Sequence, residues 1–175
     1  MTRYGLGIIL PRTSLRCVFR AGAPFYGAQT AYTISNADIG EAANDRFVVV
    51  GVVGRGNSRT ITSVTIAGVE ATTLTKNAVS NLPAVGLFAR QVTSGTIITI
   101  VATFSSSETN ACIAFWTVYG PMSLTSFSAQ TVLGEDPVSR TVTTRKGGVL
   151  IGISTNTGNA PNHTWTNMNE RFDTQ

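Results

Sequence analysis

Arg46-Phe47-Val48-Val49-Val50-Gly51-Val52-Val53 is the stretch on which the fold class turns. Apolar side chains fill both parities of this run, which suits a central β-strand buried on both faces. Outward from it the chain reads strand, turn, strand. Gly54–Arg59 is a turn. In Thr60–Ile66, Val64 and Ile66 share one face, and Ala67-Gly68 permits a tight reversal into Val69–Lys76, a hairpin signature. Ala84–Val92 follows as a strand. Thr96–Phe104 alternates, with Ile98, Ile100, Ala102 and Phe104 on one side and Ile97, Thr99, Val101 and Thr103 on the other. Ser105–Asn110 reads as a polar loop before Ala111–Tyr119, the most apolar strand of the chain. Ala28–Ser35, Leu124–Val132, Val138–Thr144 paired with Gly148–Ser154, and Thr164–Phe172 complete the set. Some nine or ten strands at about 10–14 residue spacing predict an all-β, antiparallel β-sandwich of jelly-roll type.

Composition agrees. Of 175 residues, 26 are Thr, 17 Val and 12 Ile, β-branched types that fit pleated surfaces and stiffen helices. Only 13% are charged, which excludes a disordered charged tail and a coiled coil. The net charge of +4 is unevenly placed. Arg3, Arg12, Arg16 and Arg20 lie in the first twenty residues with no acid, so the remainder is neutral. Residues 1–27 are punctuated by Gly5, Gly7, Pro11, Gly22, Pro24 and Gly27 and hold neither period. They predict an extended N-terminal arm on a β-sandwich domain spanning residues 28–175. The arm must lie on its own domain or on a neighbour, since its apolar anchors Ile8, Ile9, Leu10 and Phe19 cannot bury themselves alone. No apolar run approaches the roughly 18 residues of a membrane-spanning helix, and Leu6–Leu10, broken by Pro11, is too short for a signal peptide. Asp173-Thr174-Gln175 follows no closing apolar strand, so the last edge is expected to pair elsewhere or the domain to continue further.

Chemistry-bearing motifs are sparse. His163 is the single histidine and has no motif partner for a triad. One His with two scattered Cys does not make a zinc site. Cys17 and Cys112 read either as two thiols or as one disulfide, with Cys17 on the arm. Glu135-Asp136 precedes Pro137 as turn chemistry, not as a glycosidase pair. Gly5-Leu6-Gly7 and Gly54-Arg55-Gly56 lack the continuation of a phosphate loop. A neutral domain speaks against nucleic-acid binding. Trp116 reads as core, and Trp165, beside a polar loop, as a strand-start packing residue or a glycan-stacking platform. No catalytic residue, metal or cofactor is expected.

Three stretches are familiar. Ala43–Val50 with Arg59–Thr72, the Ala111–Gly120 strand, and Trp165–Asp173 together resemble β-sandwich virion proteins of tailed bacteriophages and prophages, of the decoration, spike or fibre kind. The resemblance spans about residues 40–173 and carries no catalytic signature. It implies a non-enzymatic structural part of the virion, whose partners are other capsid, neck or tail proteins and whose own assembly is a homo-oligomer, a trimer favoured. The arm would anchor it, with Arg3, Arg12, Arg16 and Arg20 pairing acidic groups and Ile8, Ile9, Leu10 and Phe19 filling apolar grooves. Deleting residues 1–24 is then expected to leave a folded domain that has lost its anchor. The alternative is a lectin-like receptor-binding module of a tail fibre that takes a host surface glycan at Trp165. A secreted hydrolase is disfavoured by the absent catalytic constellation.

Overall fold

A computed structural model describes residues 15–56, 58–77, 82–122, 124 and 147–155. Among these the secondary structure is all β. The strands are β1 (Arg16–Asp38), β2 (Arg46–Gly54), β3 (Ile61–Ile66), β4 (Val69–Glu70), β5 (Thr72–Lys76), β6 (Ala84–Gln91) and β7 (Ile97–Tyr119). All pair antiparallel in one sheet of order β4-β3-β7-β2-β6-β5, with β1 along the other side of β7. The antiparallel strands form a nearly closed, barrel-like sheet.

A long ribbon makes the curl. β1 and β7 are each 23 residues long and pair from Arg16↔Tyr119 to Asp38↔Ile97. The first half of β7 also pairs with β3, and its second half with β2, so β7 passes from one half of the sheet to the other. Between the pairs Tyr26↔Asn110 and Ala31↔Thr103 the register shifts, because β7 spends more residues there than β1. Such bulges bend a strand and raise its twist. Gly27 takes φ 105° at this bend, a conformation that favours glycine. Tyr32 fixes it from inside: its single hydroxyl proton is shared between Gly27 O (2.7 Å) on its own strand and Glu108 O on β7. Beyond the bend β3 comes to face β6. Arg90 Nη1 donates to Ile66 O (2.5 Å) and Lys76 Nζ to Ile61 O (3.2 Å) across the gap.

The core fills the barrel. Val48, Val50 and Val52 of β2 meet Ile113 and Phe115 of β7, Phe88 of β6, and Ile100, Phe104, Ile66, Ile61 and Tyr32 of the other half. The opposite face of β2 carries a second cluster of Phe47, Val49, Ala89 and Val118, against which Leu15, Cys17, Met122, Leu124 and Ile151 pack. β2 is thus buried on both faces, as its sequence predicts. Gly51 is needed on the outer face, since a β-carbon there would lie 2.7 Å from Ile153 Cγ2 and 3.3 Å from Trp116 Cζ3. Trp116 itself is half-buried there, outside the barrel.

Several boundaries differ from expectation. Thr96–Phe104 and Ala111–Tyr119 are one strand, not two joined by a loop. The polar residues between them find distant partners: Ser105 N donates to Thr60 O (2.9 Å), Arg55 N to Asn110 O (2.9 Å), and Glu108 is fully buried. Val69–Lys76 divides at Ala71 into β4, which pairs with β3, and β5, which pairs with β6. The first strand starts at Arg16 and not at Ala28, so residues 16–27 of the expected arm lie along β7. Among the described residues Gly148–Ser154 forms no ladder, and it lays Ile151 and Ile153 on the outer face. The strands expected at residues 125–132, 138–144 and 164–172 lie outside the described residues.

Candidate functional site

Period two places Arg16 and Val18 on one face of β1, opposite Tyr119 and Thr117 of β7. Arg20 has the same parity and would meet Phe115 in a regular ladder. It does not, because Phe19 pairs with Trp116 and Ala21 with Phe115, leaving Arg20 as the extra residue of a bulge. Ala21 takes the place opposite Phe115 and is itself exposed, while Arg20 is half-buried. Its Nε donates to Thr117 Oγ1 (3.1 Å) and its Nη2 to Tyr119 Oη (3.1 Å). Tyr119 Oη in turn donates to Glu41 O (3.2 Å). Arg16 lies over the Tyr119 ring, 4.4 Å from its centroid, a cation–π contact. Gly40 closes the site from the β1–β2 connection; a side chain there would collide with the Arg20 guanidinium.

Together Arg16, Val18, Arg20, Gly40, Glu41 and Tyr119 line a shallow open pocket of about 260 Å³. Neither arginine pairs with a carboxylate among the described residues. Toward the described residues Arg20 uses two of a guanidinium's five N–H donors, and Arg16 lays its guanidinium over the Tyr119 ring.

The pocket wall is held by Arg46, a residue read from sequence only as the head of a strand. Arg46 is fully buried. Its Nε donates to Val92 O (2.8 Å), its Nη1 to Gly40 O (2.6 Å) and Glu41 O (2.7 Å), and its Nη2 to Ser94 O (2.8 Å) and Gly95 O (2.7 Å). All five N–H groups are thereby spent on carbonyls, which satisfies a buried cation without an acid. The sequence signal was a single arginine heading an otherwise apolar strand. At the far end of the ribbon Glu108 mirrors it: both carboxylate oxygens accept from Gly56 N (3.0 Å each), and Oε1 also from Thr109 N (2.9 Å) and Asn110 N (3.3 Å). Every buried side-chain polar atom among the described residues has a partner.

Of the residues singled out from sequence, Arg16 and Arg20 are brought together. Phe19 is spent inside the chain, edge-on to Trp116 at 5.6 Å and 62°, where it was expected to fill a partner's groove. The 1–24 deletion would strip this part of β1 from β7 and remove the packing of Phe19 on Trp116 and of Leu15 and Cys17 on the cluster that holds Val118. Cys17 stands opposite Val118 and Cys112 opposite Pro24. Seven residues of strand, roughly 20 Å, separate them, and a bridge within the chain is excluded. Both are free thiols, half-buried, and burial pushes each pKa up, that of Cys112 to about 11. Arg3, Ile8, Ile9, Leu10, Arg12, His163 and Trp165 lie outside the described residues.

The arrangement can hold an oxyanion. Among the described residues no group of three or more His, Cys, Asp or Glu could hold a metal ion. Compared with protein-family models, curated proteins and solved structures, the chain finds no match.

Proposed function

We propose that the chain is a non-enzymatic structural component of a bacteriophage particle, a decoration, spike or fibre protein, that docks on a neighbouring virion protein through its arginine-bearing N-terminal region. Its own assembly is a homo-oligomer, a trimer favoured. The observation that supports this reading is the pair Arg16 and Arg20. They sit on a strand locked to the sheet, Arg16 exposed and Arg20 half-buried, with no carboxylate partner among the described residues. Arginine suits such an interface because its planar, weakly hydrated fork matches carboxylates. The particle setting comes from the sequence resemblance.

The test is direct. Tailed particles are induced from a host carrying the sequence, purified, digested and read by mass spectrometry, then imaged by cryo-electron microscopy. Peptides of the chain at fixed stoichiometry, and density for the barrel with the Arg16–Arg20 face against a neighbour, are expected. Particles that are complete and infectious without the chain overturn the reading.

A further inference from the structure

We infer that the Arg16–Arg20–Tyr119 pocket is a binding site for a single carboxylate, the side chain of an Asp or Glu on a partner protein; the partner, though not the site, rests on the reading above. Two guanidinium groups converge on one tyrosine, Arg16 on its ring at 4.4 Å and Arg20 on its hydroxyl at 3.1 Å. Holding like charges together costs free energy unless an anion lies between them. No carboxylate among the described residues is paired with either of them. Glu41, at the pocket wall, offers its backbone carbonyl to Tyr119 and Arg46, and its side chain is exposed.

Charge and shape select the anion. The lining residues carry two guanidinium groups and one carboxylate, a single net positive charge, which matches a monovalent carboxylate better than a doubly charged phosphate. The Tyr119 ring and Val18 give the floor an apolar part for the methylene groups that carry an acidic side chain's head. The site is also pre-organised. Thr117 and Tyr119 orient Arg20, and Arg46 fixes the Gly40 and Glu41 carbonyls that form the wall, so little order remains to be imposed on binding. Arg46, with all five donors spent, is unable to take part and serves as an internal control.

The full chain, labelled with nitrogen-15, is titrated with sodium acetate while the arginine Nε–Hε resonances are followed, against sodium chloride of equal ionic strength. Inorganic phosphate is titrated separately. Saturable shifts at Arg16 and Arg20 are expected with acetate and not with chloride, with Arg46 unmoved. Arg16→Gln and Arg20→Gln should each weaken acetate binding about tenfold or more, the scale of one charge-assisted hydrogen bond. Tyr119→Phe keeps the ring for Arg16 but removes the acceptor for Arg20. It should weaken binding severalfold with core methyl resonances unchanged, which separates a lost site from a lost fold. Equal shifts at all exposed arginines, or the same response to chloride, overturn the site. Phosphate binding more than tenfold tighter than acetate overturns the carboxylate assignment. A chain that binds acetate yet is missing from particles leaves the site standing and removes the virion reading; the reverse outcome does the opposite.

Discussion

Replacing Arg46 by methionine keeps the length of the side chain and removes all five donors. The carbonyls of Gly40, Glu41, Val92, Ser94 and Gly95 then lose their partner. A hydrogen bond to a charged group contributes about 1.5–3 kcal/mol, so five taken additively would rival the roughly 5–15 kcal/mol that holds a whole domain folded. Additivity fails here for a visible reason. Only the bond to Val92 O is fully buried; the other four lie nearer the surface, where water reaches carbonyls freed by the substitution. Removal of the guanidinium also lifts its own desolvation cost. The expected loss for Arg46→Met is therefore about 3–5 kcal/mol, the range seen when a buried charged arrangement is broken. Arg46→Lys retains a cation with three donors and should recover about half of that. Urea unfolding followed by far-ultraviolet circular dichroism measures both, with the difference read from the midpoints at constant slope. Arg46→Met within about 1 kcal/mol of the parent, on the general scale of a surface substitution, would refute the reasoning. So would a lysine variant no more stable than the methionine one, because donor count would then not be what matters. Since Arg46 also fixes the Gly40 and Glu41 carbonyls, a lysine variant that remains folded should bind acetate more weakly than the parent.

Three further outcomes follow from local geometry. Ala67 and Gly68 both take positive φ, 52° and 73°, in the exposed β3–β4 turn. Asparagine tolerates that region better than alanine, so Ala67→Asn should stabilise by about 0.5–1 kcal/mol and raise the midpoint of thermal unfolding; an unchanged or lower midpoint would count against the turn assignment. Glu108→Gln exchanges an acceptor for a donor facing the N–H groups of Gly56, Thr109 and Asn110. It should cost about 1.5–3 kcal/mol in the same urea assay. The Cys112 thiol rises from 9.0 to about 11 by burial. Its contribution is fully present below pH 9, where the unfolded thiol stays neutral, and is lost as pH climbs through about 11. Urea midpoints should therefore fall between pH 9 and 11, and Cys112→Ser should flatten that decline.

Local pattern made much of the barrel legible. β2 is buried on both faces because apolar side chains fill both of its parities, and the Ala67-Gly68 reversal sits where the turn residues stand. The candidate site was legible in part, since Arg16 and Arg20 stand out in a segment without acids. Their partners were not, because Thr117 and Tyr119 lie nearly a hundred residues away.

Arg46 and Glu108 escaped for the same reason. A buried charge is recognised by what satisfies it, and here backbone groups do so from the 39–41, 92–95 and 54–56 connections, which no side-chain motif marks. By itself the sequence determined the strand class, the neutral body and the concentration of arginine at the N-terminal end, since period, β-branching and charge are local properties of a chain. Tertiary structure alone decided that Ser105–Asn110 continues a strand, that residues 16–27 belong to the sheet, and that two arginines converge on one tyrosine. Those depend on where distant backbone and side-chain groups find their hydrogen-bond partners, and that is settled only when the ribbon bends and the barrel closes.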